Sequence, residues 1–201
     1  FSMYGYTTIA VAVGILLDFI VGDPHKIPHP VCFIGKLITA LEIRFRMLFP
    51  DTSKGKRLAG MVLWFIVIMV SGAVPAAVLY AAWRINPLLY CMTASAMCCQ
   101  IMATKSLKDE SMKVYQALAE QDIVKARYQV SMIVGRDTKQ LDADGVARAA
   151  VETVAENTSD GSIAPMFYMM LGGAVLGFVY KAVNTMDSML GYQNETYLDF
   201  G

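Results

Sequence analysis

The sequence predicts an all-α, polytopic integral membrane protein with amphipathic cytoplasmic helices. Of its 201 residues, 56% are hydrophobic and only 17% charged, with a mean hydropathy of +0.46. A soluble domain of this size has too little interior to hide that apolar excess. The apolar residues also run in four long blocks, 6–22, 58–83, 88–103 and 163–183, and a spanning helix needs about 20 mostly apolar residues. The formal net charge is zero and the lysines and arginines are spread between the blocks. The lipid bilayer is therefore an expected partner and nucleic acid is not. Cys32, Cys91, Cys98 and Cys99 offer neither a CxxC pair nor zinc-ligand spacing, which argues against a disulfide framework or a metal cluster.

The first block lacks the basic start and small-residue cleavage site of a signal peptide and contains Asp18, so it reads as a retained helix. Blocks two and three are separated only by Arg84-Ile85-Asn86-Pro87, a polar break with a proline that suits a tight turn between antiparallel helices. That hairpin places 23–57 and 104–162 on one side. The first of these segments carries Lys26, Lys36, Arg44, Arg46, Lys54, Lys56 and Arg57, whereas no lysine or arginine precedes the first helix. The positive-inside rule makes the shared side cytoplasmic and the location the inner membrane. Segment 104–162 is polar and reads as amphipathic helix lying on the membrane or against the spans, with Leu107, Val114 and Leu118 near helical spacing. Asp122 is placed to cap a run through Val130, Asp142 or Asp144 to cap Val146 to Ala155, and Asn157-Thr158-Ser159-Asp160-Gly161 reads as a terminating turn.

Polar groups near these apolar blocks mark candidate sites. A charge at bilayer depth costs about 2.5 to 3.5 kcal/mol on insertion scales, so Asp18 needs a partner or a task. Asp23, His25 and His29 lie on a loop stiffened by Pro24, Pro28 and Pro30, and positioned loops tend to carry function. Arg136 and Asp137 stand at a helix end, where an arginine fork grips phosphate or carboxylate, or simply pairs with the aspartate. Asp144, Arg148, Glu152 and Glu156 share one helical face that leads into Asn157, Ser159 and Asp160. Hard oxygen ligands of this kind suit Mg²⁺ with phosphate oxygens, while a solvated ion-pair ladder is the plainer alternative. Asn184 and Asp187 share a face beyond the fourth block, followed by Asn194 and Glu195. If that block crossed fully, the two groups would lie on opposite sides. Pro165 and Gly172-Gly173 favour a broken or dipping segment instead.

The runs Leu17-Asp18, Gly22-Asp23-Pro24, Pro28-His29-Pro30-Val31, Ile34-Gly35, Ser131 to Thr138, Ala149 to Asn157, Ser159-Asp160-Gly161 and Ala182 to Tyr192 resemble those of the CobD/CbiB family, in the family's order and across nearly the whole chain. The resemblance implies ATP-dependent amidation of a propionate of adenosylcobyric acid with aminopropanol or its phosphate, giving adenosylcobinamide or its phosphate, with ATP and Mg²⁺ as cofactors. A carbon-nitrogen ligase of this kind needs a metal, a phosphate clamp and a base. Chemistry and motif position, rather than the resemblance, assign Glu156, Asp160 and Asp187 to metal or base duties, with Glu152 beside them. On the same grounds Arg136, Asp137, Asn157, Asn184 and Asn194 hold substrate or phosphate, and Asp23, His25 and His29 shape the entrance. Other late cobalamin-pathway enzymes are expected partners at the membrane. Family members are generally longer, so residues 1–201 are expected to be one membrane-embedded domain, the N-terminal part of a longer chain. The competing reading is a non-catalytic sensor or signalling protein of the AmpE-like type, which needs none of the clustered Glu152, Glu156, Asn157 and Asp160.

Overall fold

The computed structural model describes residues 3–22 and 29–201. Asp23 and His25 lie outside the described residues. The described chain is helical throughout, in the order α1 (Met3–Ile20), α2 (Pro30–Leu48), α3 (Ser53–Ile85), α4 (Pro87–Ile101), α5 (Thr104–Ala119), α6 (Ile123–Ser131), α7 (Ala143–Thr158), a π-turn (Ser159–Ile163) and α8 (Ala164–Leu190). Four stretches are long and apolar enough to cross a membrane, containing α1, α3, α4 and α8 respectively. They coincide with the four apolar blocks of the sequence. Their outward faces carry large exposed apolar side chains such as Leu16, Phe19, Met61, Phe65, Val74, Leu88, Met92 and Leu171, as lipid-facing helices do.

The turn between α3 and α4 forms as its sequence demands. The Asn86 side chain accepts a 2.7 Å hydrogen bond from the Leu88 amide, and Pro87 takes the first helical position, where its missing N–H costs nothing. At this far end of the bundle Trp83 meets Tyr6 and Tyr90 edge-on. The Thr7 hydroxyl lies 2.7 Å from that of Tyr90. About two turns further along both helices, a Cβ on Gly14 would collide with Cys98 Cβ. Thr7 facing Tyr90 and Gly14 facing Cys98 show that α1 runs parallel to α4, and glycine is what permits their close approach.

The fourth apolar stretch does not cross as one rod. Gly172 (φ −147°, ψ 28°) and Gly173 (φ 62°, ψ −157°) leave helical geometry inside α8. In a straight helix residues 168 and 180 would stand about 18 Å apart, yet their tyrosine rings stack with centroids 5.0 Å apart. The Tyr180 hydroxyl donates a 3.0 Å hydrogen bond to the Asp160 carbonyl, twenty residues upstream. The chain therefore descends from Ala164, reverses at the glycine pair beside Thr7, and returns along itself. This is the broken segment that Pro165 and Gly172-Gly173 lead one to expect. Its return arm packs on α3, with Gly72 near Val179 and Trp64 near Val183 and Met186.

Helices α5 to α7 form a separate polar layer with a small core of Val114, Ala117, Ala126, Val130, Val146 and Ala149. Asp122 caps α6 by accepting from the Lys125 amide, and Asp142 caps α7 by accepting from that of Gly145. Of the two cap residues the sequence offers for α7, the structure uses Asp142. One feature has no assignment in the sequence reading and another departs from it. Pro30–Leu48 is a full helix, started by Pro30 and capped through the His29 Nδ1, which accepts from the Val31 amide at 3.3 Å. Asn157 to Gly161 does not terminate α7, because the chain continues through the π-turn directly into α8.

Candidate functional site

The π-turn is where the sequence-predicted residues and the fold's polar contacts meet. A π-turn is a helix carrying one extra residue, and such insertions gather at functional sites. Two of its carbonyls are held from outside the turn. The Asp160 carbonyl accepts from Tyr180 Oη on the returning arm of α8, and the Gly161 carbonyl accepts from the Ala103 amide at 3.1 Å. The Ser162 and Thr104 hydroxyls stand 3.0 Å apart. On the other side of Thr104 its amide donates to Asp18 Oδ2 at 3.0 Å. Asp18 is fully buried, so this carboxylate near the end of α1 has a defined partner in the N-terminus of α5. A helix N-terminus is the favourable end for a negative charge.

Glu152, Glu156 and Asn157 are exposed on α7 and Asp160 is half-buried on the π-turn. Arg136 reaches Glu152 with a 2.7 Å ion pair, closing the loop after α6 onto α7. Both side chains remain more than half exposed, so the pair is weak in water and open to exchange for a ligand anion. Asp137 instead turns its own loop, accepting from the Lys139 amide at 3.0 Å. Asn157 Nδ2 donates back to the Thr153 carbonyl.

The reversal of α8 brings Asn184, Asp187 and Asn194 out on the side of the π-turn. The arm returns past Asp160 at Tyr180 and continues the same way to Leu190. Asp187 lines a small cavity of about 210 Å³ with Gly60, Trp64 and Phe200. Asn194 accepts from the Thr196 and Tyr197 amides and so shapes the C-terminal turn. The hydrogen bonds and ion pairs of the described residues include none linking Asp187, Asn184 or Asn194 to Glu156 or Asp160. Among the described residues no group of three or more His, Cys, Asp or Glu side chains gathers around a metal-sized point. Sequence reasoning did not select Thr104, Ser162 or Tyr180. Their hydroxyls acquire roles only through contacts between residues far apart in the chain.

These features define a polytopic helical membrane protein whose last long helix reverses on itself and whose α5 to α7 form a separate polar layer with its own small core. The family model described as CobD/Cbib protein matches residues 11–201, and the chain belongs to the CobD/CbiB family. It is 46% identical over 193 residues to cobalamin biosynthesis protein CobD of Clostridium perfringens, covering 96% of this chain and 60% of that one. It is 44% identical over 195 residues to cobalamin biosynthesis protein CbiB of Salmonella arizonae, covering 97% and 61% respectively. Against cobalamin biosynthesis protein CobD of Halalkalibacterium halodurans the identity is 42% over 193 residues, covering 96% and 59%. The chain thus spans about 60% of the length of the curated relatives it matches. No solved structure matches it.

Proposed function

We propose that this chain supplies the membrane-embedded part of a cobalamin-biosynthetic ligase that joins a propionate of adenosylcobyric acid to aminopropanol or aminopropanol phosphate, in the inner membrane with its site facing the cytoplasm. The observation that carries this reading is the reversal of α8. It brings the Glu152–Asp160 and Asn184–Asn194 segments to one side, which a straight fourth span would forbid. Membership of the CobD/CbiB family, with relatives named cobalamin biosynthesis proteins, supports the substrate class.

Amines do not attack carboxylates at useful rates, so the carboxylate must first be activated. Transfer of the ATP γ-phosphoryl group to a carboxylate oxygen gives an acyl phosphate and ADP. Amine attack on its carbonyl then forms the amide and expels phosphate, and the amine's surplus proton passes to a base. In this reading Asp160, with Glu156 one helical turn before it, accepts that proton or faces the cation that accompanies ATP. Mg²⁺ takes one or two protein carboxylates and completes its shell with water and phosphate oxygens. The hard oxygens of Glu156 and Asp160 fit that donor chemistry without a closed protein cage. Arg136 exchanges Glu152 for a phosphate or carboxylate, for which its guanidinium fork is suited.

The test is amide synthesis by the purified protein, expressed full length in detergent, with ATP, Mg²⁺, adenosylcobyric acid and either amine. The expected result is product that requires ATP and falls by about 10²-fold or more in Asp160→Asn, with the melting temperature retained. Failure to form product with either amine would reject the ligase and favour a non-catalytic membrane role.

A further inference from the structure

Helix α5 starts without a cap of its own. The residue before it, Ala103, has no side chain able to accept a hydrogen bond, and its backbone lies at φ −140°, ψ 25°. The first four amides of a helix have no partner within it, and this helix begins where the chain leaves the apolar α4. The acceptor comes from 86 residues upstream. Asp18 Oδ2 takes the Thr104 amide at 3.0 Å, from a side chain with no solvent exposure. Thr104, which Asp18 fixes, and its chain neighbour Ala103 hold the π-turn through the Ser162 hydroxyl and the Gly161 carbonyl. Gly161 has no side chain, and a Cβ there would lie 3.6 Å from that of Ala103, so the two backbones pass close together. Next to Gly161 and Ser162 stands Asp160, its own carbonyl held by Tyr180 on the returning arm of α8.

We infer that Asp18 is a positioning residue: its carboxylate caps α5 from α1 and, through Ala103 and Thr104, sets the place of the π-turn and hence of Asp160. The inference rests on the proposed reaction for its catalytic consequence, but the mechanical link stands on the contacts alone. A buried carboxylate is costly unless it is hydrogen-bonded, and a role that only an oxygen acceptor at that point fills explains its presence. The role asks for an acceptor rather than a charge. Asparagine, which keeps an oxygen at the same reach, therefore meets it in part, whereas leucine removes it at similar volume.

The experiment compares Asp18→Asn and Asp18→Leu with wild type in the full-length protein in detergent, by two readouts. Hydrogen exchange is followed by mass spectrometry in peptides covering 102–108 and 158–164. Amide synthesis is measured per folded molecule, with kcat and KM for each substrate. Positioning predicts faster exchange in both peptides for Asp18→Leu, near-wild-type exchange for Asp18→Asn, and a kcat lowered about ten- to a hundredfold in Asp18→Leu with KM little changed. A purely structural residue would lower the melting temperature of Asp18→Leu and leave kcat per folded molecule intact, which overturns the inference. Exchange in 158–164 that does not respond to Asp18→Leu overturns it as well, whatever the activity. Should Asp18→Leu fail to fold, Asp18→Ala, which removes the acceptor without adding bulk and leaves the Thr104 hydroxyl in place, gives the same comparison. A wild-type protein that forms no amide rejects the proposed reaction, and the exchange data then decide the mechanical link by themselves.

Discussion

Helices α3 and α8 each carry residues able to disrupt a spanning helix, Pro75 in the first and Gly172-Gly173 in the second, and only α8 is disrupted. In α3, Pro75 removes one amide donor, yet the helix runs unbroken for 33 residues. In α8, Gly172 and Gly173 reverse the chain. The difference is one of direction. Proline fixes φ close to the helical value, so it costs a hydrogen bond and bends the axis while leaving the path intact. Gly173 adopts φ 62°, ψ −157°, a region open in practice only to glycine, and one such residue points the chain elsewhere. For function, the glycine pair decides on which side residues 184–195 emerge, whereas Pro75 leaves the course of α3 unchanged.

The largest effect is expected from Gly173→Ala. The new Cβ would stand 2.9 Å from Thr7 Cγ2, in addition to the backbone strain, so destabilisation of about 2 to 4 kcal/mol is expected. A drop in melting temperature and loss of the proposed synthase activity would register it. Retention of both would show that the reversal does not depend on this residue.

A labelling experiment sharpens the same contrast. With native cysteines replaced, single cysteines at Arg136 and Asn194 should react with an impermeant maleimide from the same face of sealed vesicles. Labelling of the two from opposite faces would mean that α8 crosses, and the proposed site would then have to be given up.

Pro75→Ala is the smaller counterpart. Alanine restores the amide that the Ser71 carbonyl lacks, while removing ring contacts in the cavity shared with Phe33, Ile34 and Phe178. These terms oppose each other, and stability within about 1 kcal/mol of wild type is expected, with activity retained. A loss as large as that of Gly173→Ala would show that the proline in α3 is itself required.

Much of this was legible in the sequence because it depends on neighbours in the chain. Long apolar blocks give the spans, Asp122 and Asp142 give the caps of α6 and α7, and the Gly172-Gly173 pair gives the break. What stayed hidden depends on distant partners or on mixed local signals. Helix α2 mixes apolar residues with Lys36, Glu42, Arg44 and Arg46, and the prolines before it read as loop. Asn157 to Gly161 has a turn former's composition, but external donors on the Asp160 and Gly161 carbonyls keep the chain helical there, a tertiary override of local preference. The Arg136 to Glu152 pair spans 16 residues and the Asp18 to Thr104 contact spans 86, separations that no helical periodicity encodes.

The smallest effect concerns the tie between the near ends of the same two helices. The segment after α8 folds back so that Asp199 Oδ1 accepts from Ser53 Oγ and Arg57 Nε. Phe200 is buried beneath the Arg46 guanidinium, 4.4 Å from its ring. The hydrogen bonds from Ser53 and Arg57 hold the Asp199 carboxyl below its ordinary value of 3.8. A depressed carboxylate pKa contributes stability that is fully present above the unfolded value and is lost as pH falls through the folded one. The clasp should therefore be insensitive to pH near neutrality and loosen only below 3.8. Trp64 and Phe200 line the same cavity, so Trp64 fluorescence in a Trp83→Phe background should report the loosening. Asp199→Asn should shift that signal at neutral pH and remove its acid transition. Because the ion pair is exposed on the Arg57 side, the shift should be small and salt-dependent. A large shift would mean that the packing of α3 on α8 depends on this clasp more than on the buried faces between them.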